Sequence, residues 1–256
     1  MVAYLILFVN LHNAQKSKVH HALIIAERQK GSEMKKIIID DGFNPEFVET
    51  AVFDGILEMP CIDKPVKTVI PDAVIPFSKR TRSIKNREFL VFYEYDVNFA
   101  DILRYPEKFL PEVMTFPGMV TLDCSVYLDS PLQVQMANVY RSRAIGHFFQ
   151  SKGINVIPNV RWGDERSYTT CVLPEKFAFL GLPKNSIYSI GTYGAGQSKE
   201  EKYHLRQGLI AMLDELEPEV VLVYGAMPDS VFHGLKDRTR FIAFPDWTSS
   251  KKRGMV

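Results

Sequence analysis

The stretch MVTLDCSVYLDSPLQVQMANVYRSRAIGHFFQSKGINVIPNVRWGDERSY, residues 119–168, decides the fold. It opens on a short apolar run, Met119-Val-Thr-Leu122, which ends in Asp123-Cys124-Ser125. Pro131 then starts a long helical pattern. Leu132, Met136, Val139, Tyr140, Ala144, Ile145 and Phe148 form its apolar stripe, and Gly153 closes it. A second apolar run, Ile154 to Ile157, passes into Pro158, Asn159 and the polar run Arg161 to Arg166. A strand, a long helix and a strand in succession imply parallel pairing through a right-handed crossover.

The pattern repeats outward. Phe89 to Tyr93 reads as a strand ending in Glu94-Tyr95-Asp96, and Phe99, Ile102, Leu103 and Tyr105 follow at helical spacing. Downstream come a strand from Ser186 to Ile190, a glycine-rich turn from Gly191 to Gly196, a helix from Tyr203 to Leu216, a strand from Val220 to Tyr224 and a last strand from Phe241 to Phe244. The expected class is α/β, with alternating β-α units and parallel strands. Two architectures fit: a TIM-barrel-like one, complete or incomplete, or an open doubly wound sheet. Polar residues follow nearly every strand, which favours the barrel, because all its strand ends converge on one face.

The region upstream is less regular. Met1 to Asn10 is nearly all apolar, too short to span a bilayer and without the basic start of a signal peptide. Residues 11–30 carry a weak helical pattern, and Met34 reads as a fresh start. The expected organisation is an extension over 1–33, a helical segment and linker over 34–87, and an α/β core over 88–256 that forms one domain with 34–87. Asn44-Pro45 has the chemistry of a helix start, with Phe47, Val48, Ala51 and Val52 predicting a helix within 43–57. Four prolines between Met59 and Arg87 predict an irregular connection. The same stretch carries Lys79, Arg80, Arg82, Lys85 and Arg87, a basic cluster open to nucleic acid or to plain solvation.

The chain has 256 residues, 46% apolar and 24% charged, with a formal net charge of +1. That balance excludes a global field attracting polyanions or an anionic membrane. Three widely spaced cysteines, Cys61, Cys124 and Cys171, make no disulfide framework and point to a reducing, cytoplasmic setting. No zinc-type spacing occurs, and His20-His21 lacks a second ligand cluster, so no metal site and no cofactor is specified.

Asp123 is the sharpest candidate for chemistry. A carboxylate at the end of an apolar strand is shielded from water and its pKa is open to tuning. Asp129 and Ser130 lie nearer the helix start and fit the capping role better. Asp164 and Glu165 are the other catalytic candidates. Arg161 and Arg166 offer forks for an anion, Trp162 a stacking face, and Asn159 a strand-end amide. Ser125 follows Asp123 directly. Asn138 and Arg141, three apart on the helix, join the site if their face meets the strand ends, whereas Arg143 reads as ordinary helix surface. Thr192, Tyr193 and Gly194 belong to a turn whose amides suit a phosphate, though it matches neither the P-loop nor the dinucleotide fingerprint. Tyr224 ends a further strand.

The block from Leu122 to Tyr168, with "FYEYD" and "YPEKFL" upstream and "SIGTYG" and "LVYGAMPD" downstream, resembles domain of unknown function 4417 over roughly residues 70 to 235. The resemblance implies a protein of phages and other bacterial mobile elements and carries no reaction with it. Where that family is expected to read Asp-Phe-Ser, this chain has Asp123-Cys124-Ser125, which makes Cys124 an exposed thiol if the site is open.

Three functions follow from these residues. The first is an enzyme acting on a nucleotide, nucleoside or nucleic-acid base, with Asp123 paired with Asp164 or Glu165 and a small anionic ligand on the arginines. The second is a non-catalytic module binding a protein or single-stranded nucleic acid. The third is a metal-dependent hydrolase built on Asp96, Asp123 and Asp164.

Overall fold

The computed structural model describes residues 44–83, 87–193 and 198–252. The readings for residues 1–33, the start at Met34, Lys85 and Gly194 fall outside them. The chain divides into two units, Met1–Glu49 and Thr50–Val256. In the first, Pro45–Phe47 forms one 3-10 turn, and the Asn44 side chain accepts from the Glu46 N–H at 3.1 Å. The Asn-Pro start is therefore present, but the helix predicted within 43–57 stops after that turn.

The second unit opens with an antiparallel hairpin of β1 (Phe53–Asp54) and β2 (Met59–Pro60). Asp54-Gly55 overrides the helical spacing. Gly55 has φ +68°, and a Cβ there would lie 2.5 Å from the Glu175 carboxylate, which accepts the Ile56 N–H. Glycine alone fits that turn.

A four-stranded parallel sheet follows, ordered β3 (Ala73–Pro76), β4 (Glu88–Val91), β5 (Met119–Val120), β6 (Val156–Ile157). A three-stranded parallel sheet runs β7 (Ile187–Gly191), β8 (Val220–Tyr224), β9 (Arg240–Phe244). They meet at a parallel bridge between Asn159 and Ser189, flanked by Val160 N–H to Ser189 O and Ser189 N–H to Pro158 O, each 2.9 Å. The proline-rich stretch is thus not wholly irregular. Ala73–Pro76 pairs with β4, and Pro76 sits at the strand's end, as expected of a residue without an amide donor.

Helices alternate with these strands: α1 (Ala100–Arg104), α2 (Pro106–Val113), α3 (Leu132–Ser151), α4 (Glu165–Tyr168), α5 (Lys199–Leu216), α6 (Asp229–Phe232) and α7 (Trp247–Lys252). The α5 helix begins a turn before Tyr203, because Ser198 and Glu201 form a reciprocal capping box. Strand order follows the chain without reversal. β7 and β8 are buried along their whole length, so both faces are covered. Val220, Leu222 and Tyr224 join Val91, Tyr93, Val120 and Ile157 on one face, while Val221 and Val223 pack on Leu209, Met212 and Leu213 of α5.

The sheet is strongly rolled. The rings of Tyr93, just beyond β4, and Tyr224 on β8 stack with centroids 5.0 Å apart. Across a flat sheet those strands would stand about 19 Å apart, at ~4.8 Å per step. Among the described residues the edge strands β3 and β9 are not paired with each other, so the sheet these strands form is open.

The α3 helix carries the main correction. Arg143 is 1% exposed rather than on the surface. Its guanidinium donates to Leu180 O at 3.1 Å, Asn159 O at 3.0 Å and Ala178 O at 2.9 Å, and no carboxylate pairs with it among the described residues. Burial lowers its pKa to about 10. Pro131 occupies the cap position and no side chain caps the helix, so neither Asp129 nor Ser130 takes the expected role.

Arg143→Met keeps the apolar stem and strands three carbonyls, those of Asn159 and Ala178 buried and that of Leu180 partly buried. At about 1 kcal/mol or more for each orphaned acceptor, it is expected to destabilise the fold by roughly 3 kcal/mol. Urea unfolding of the variant against the parent measures this.

Candidate functional site

Four elements converge behind the carboxyl ends of β4 to β7. The Asp123 side chain lies just past β5 and is 11% exposed. Its Oδ1 accepts from Asn159 Nδ2 at 2.8 Å, and Arg161 Nη1 stands 3.5 Å from Oδ2. Asn159 is held on every side. Its N–H donates to Thr121 Oγ1 at 2.8 Å, its carbonyl takes Arg143, and its Oδ1 lies 3.0 Å from the Tyr93 hydroxyl. The Tyr93 oxygen is also 2.6 Å from Ser189 Oγ. With one hydrogen, Tyr93 satisfies both contacts by donating to Asn159 and accepting from Ser189.

Burial raises the Asp123 pKa, and nearby Asp96 adds to that, against the opposing pull of Arg161 and Asn159. Burial also pushes the Tyr93 hydroxyl well above its ordinary value. The result is a carboxyl able to hold or release a proton, in a buried network with defined donors and acceptors.

A second chain of contacts leads to Asp96. Ser125 donates to it through its N–H at 3.1 Å and its Oγ at 2.7 Å. Asn138 Nδ2 donates to Ser125 O at 2.6 Å, and Arg141 Nη1 donates to Asn138 Oδ1 at 2.9 Å. Ser125, Asn138 and Arg141 thus stand together, reaching Asp96 rather than open space.

The polar run after β6 divides. Arg161 faces a cleft of about 680 Å³ as well as Asp123. Asp164 caps α4, its Oδ1 accepting the Arg166 N–H at 3.0 Å. Burial works against its ionised form, but the Arg166 hydrogen bonds outweigh this and hold the carboxyl below its ordinary value. Arg166 binds Asp164 at 2.6 Å and also reaches Ser130 O. This pair builds the loop and does not reach Asp123. Glu165 is exposed in the cleft wall. Trp162 is buried against Gly208, its Nε1 donates to His204 O at 3.0 Å, and the small part of it still exposed lines the cleft.

Around β7 and β8, the Thr192 hydroxyl donates to Ala226 O at 2.6 Å. Tyr193 is half-exposed and meets Tyr224 edge-on at 6.3 Å. The Tyr224 hydroxyl accepts from Trp247 N–H at 2.9 Å. Cys124 is buried, not an exposed thiol, and burial raises its pKa. In the basic cluster, Arg80 binds Glu112 at 2.9 Å and lies over the Phe77 ring, so part of that charge serves the fold. No group of three potential metal ligands occurs among the described residues, so Asp96, Asp123 and Asp164 are not gathered round an ion site. No helix among them is long and apolar enough to cross a membrane.

Three site residues escape sequence reasoning. Tyr93 and Ser189 sit within or just past apolar runs and read as core. His204 lies inside a helix, where only the register of the fold turns it to the cleft.

The model of a domain of unknown function, DUF4417, matches residues 51–245. The chain belongs to this family. The chain is also similar to the Gene 1 protein of Mycobacterium phage L5, 32% identical over 148 residues, which are 58% of this chain and 62% of the relative. The Gene 1 protein of Mycobacterium phage D29 is 33% identical over 138 residues, 54% of this chain and 48% of the relative. The matches thus span about half to three-fifths of these relatives' length. No solved structure matches the chain significantly. The family match takes in the whole strand-end network, from Tyr93 through Asp123 and Asn159 to Ser189.

Because the folded Asp123 pKa lies above its ordinary 3.8, ionising this group opposes folding. Its favourable share is complete below 3.8 and is lost as pH rises through the folded value. Asp123→Asn removes that loss. The variant's thermal midpoint is expected to exceed the parent's at pH 7, with the gap narrowing steadily toward pH 4. Melting curves across that range provide the check.

Proposed function

We propose that this protein is an enzyme acting on a nucleoside or nucleic-acid base, with Asp123 as the proton-transferring group. The observation carrying this reading is the buried, hydrogen-bonded Asp123 carboxyl with its raised pKa at a strand end. A general acid or base works best with a pKa displaced toward the operating pH, and desolvation supplies that displacement. Asp96 is close enough to Asp123 to act on its titration, giving the two carboxylates that glycosidic-bond cleavage employs. The partly exposed Tyr193 ring beside Tyr224 offers a face for a base.

Charge narrows the ligand. The cleft next to Arg161 is lined by five carboxylates against two guanidinium groups, and Arg166 is already paired with Asp164. Asp123 does not itself line that cleft, but a polyphosphate approaching through Arg161 would meet repulsion from it, so a nucleoside or free base suits Asp123 better than a nucleotide.

The test is incubation of the full chain with nucleosides and bases, with products followed by mass spectrometry. Asp123→Asn is expected to cut any turnover by about 10²–10⁴-fold, the usual scale for a positioned acid or base. Circular dichroism confirms that the variant is folded. Turnover that survives the substitution unchanged defeats the assignment.

A further inference from the structure

Beside Arg161 lies a half-open cleft. It measures about 680 Å³, within the range of small-molecule sites, and has an apolar floor that includes Val160, Ile190 and Leu205. One wall is His204 on α5, which is 8% exposed. Its backbone oxygen holds the Trp162 indole, and the ring of Tyr203 packs against it edge-on at 5.1 Å, so the imidazole is fixed in place. Nδ1 is engaged, 2.8 Å from the Tyr168 hydroxyl and 3.8 Å from Glu165 Oε2. Nε2 has no hydrogen-bond partner among the described residues and is the ring nitrogen left for a ligand.

The carboxylates around it are also underused. Asp129 and Glu200 line the cleft, are exposed, and make no hydrogen bond or ion pair among the described residues. Among the described residues, the one ion pair of Glu165 within 4 Å is with His204. A largely buried imidazole whose Nε2 has no protein partner among the described residues, beside carboxylates without ion-pair partners there, suits a ligand that carries donors and positive charge.

We propose that this cleft binds a protonated primary amine on a short apolar chain. The ammonium has three donors and no acceptor, which suits Glu165, Glu200 and His204 Nε2 together. Nε2 accepts when the imidazole proton sits on Nδ1, where the Glu165 charge favours it and the Tyr168 oxygen receives it. The methylene chain lies along the apolar floor. This binding is separate from proton transfer at Asp123 and is read without turnover, so either reading can fail alone.

The probes are cadaverine, a blocked Gly-Lys-Gly peptide, 1,5-pentanediol and sodium phosphate, titrated calorimetrically into the full chain. Saturable heat with cadaverine identifies a free amine as the ligand. Saturation by the peptide alone identifies a lysine side chain carrying the same ammonium. The uncharged diol and the phosphate are expected to give none. Glu165→Gln and Glu200→Gln, both at exposed positions that keep the fold, are each expected to weaken amine binding about tenfold, the scale of one charge-assisted hydrogen bond. The proposal is overturned if neither amine saturates, if phosphate binds in their place, or if both variants bind the amine as tightly as the parent.

Discussion

A single buried guanidinium organises the centre of this molecule. Arg143 leaves α3 and ends among the carbonyls of Asn159, Ala178 and Leu180. Desolvating a guanidinium is costly, and here backbone dipoles instead of a carboxylate offset the cost. The arrangement ties a crossover helix, the end of β6 and the 178–180 loop to one point. It also delivers Asn159 to its place, because the same residue gives its carbonyl to Arg143 and its side chain to Asp123 and Tyr93.

From that pin the candidate site follows. Asn159 can orient Asp123 only while its own backbone is held, by Thr121 through the N–H and by Arg143 through the carbonyl. The rolled sheet then brings Tyr93 onto Tyr224 and Ser189, strands that lie far apart in chain order. The network is buried, and its electrostatics follow from that: in low dielectric the ionised form of Asp123 loses more to burial than Arg161, at 3.5 Å, restores.

Charge pairing separates the site from its neighbourhood. The run Arg161 to Arg166 looks in one dimension like an anion-binding loop. In the fold, Arg166 and Asp164 satisfy each other, Trp162 goes into the core, and Arg161 turns between Asp123 and the cleft. The remaining carboxylates outnumber the free cations on the cleft wall. A stretch rich in arginine thus borders a cavity of acidic character.

The sequence by itself determined the α/β class, six of the parallel strands, the long crossover helix and the position of Asp123 at a strand end. Apolar runs of strand length, period-3.6 stripes and strand-end polar residues are local signals, and they survive folding intact. The hairpin at Asp54-Gly55 and the strand Ala73–Pro76 were missed, since each is only two to four residues long and draws its stability from a partner elsewhere. Tertiary structure alone decided that Arg143 is buried, that Tyr93 and Ser189 join Asp123 through Asn159, and that His204 faces a cleft. Those facts depend on how far the sheet rolls and on the rotation of α3 and α5 against it, and both are set by packing among residues distant in the chain, which no local pattern encodes.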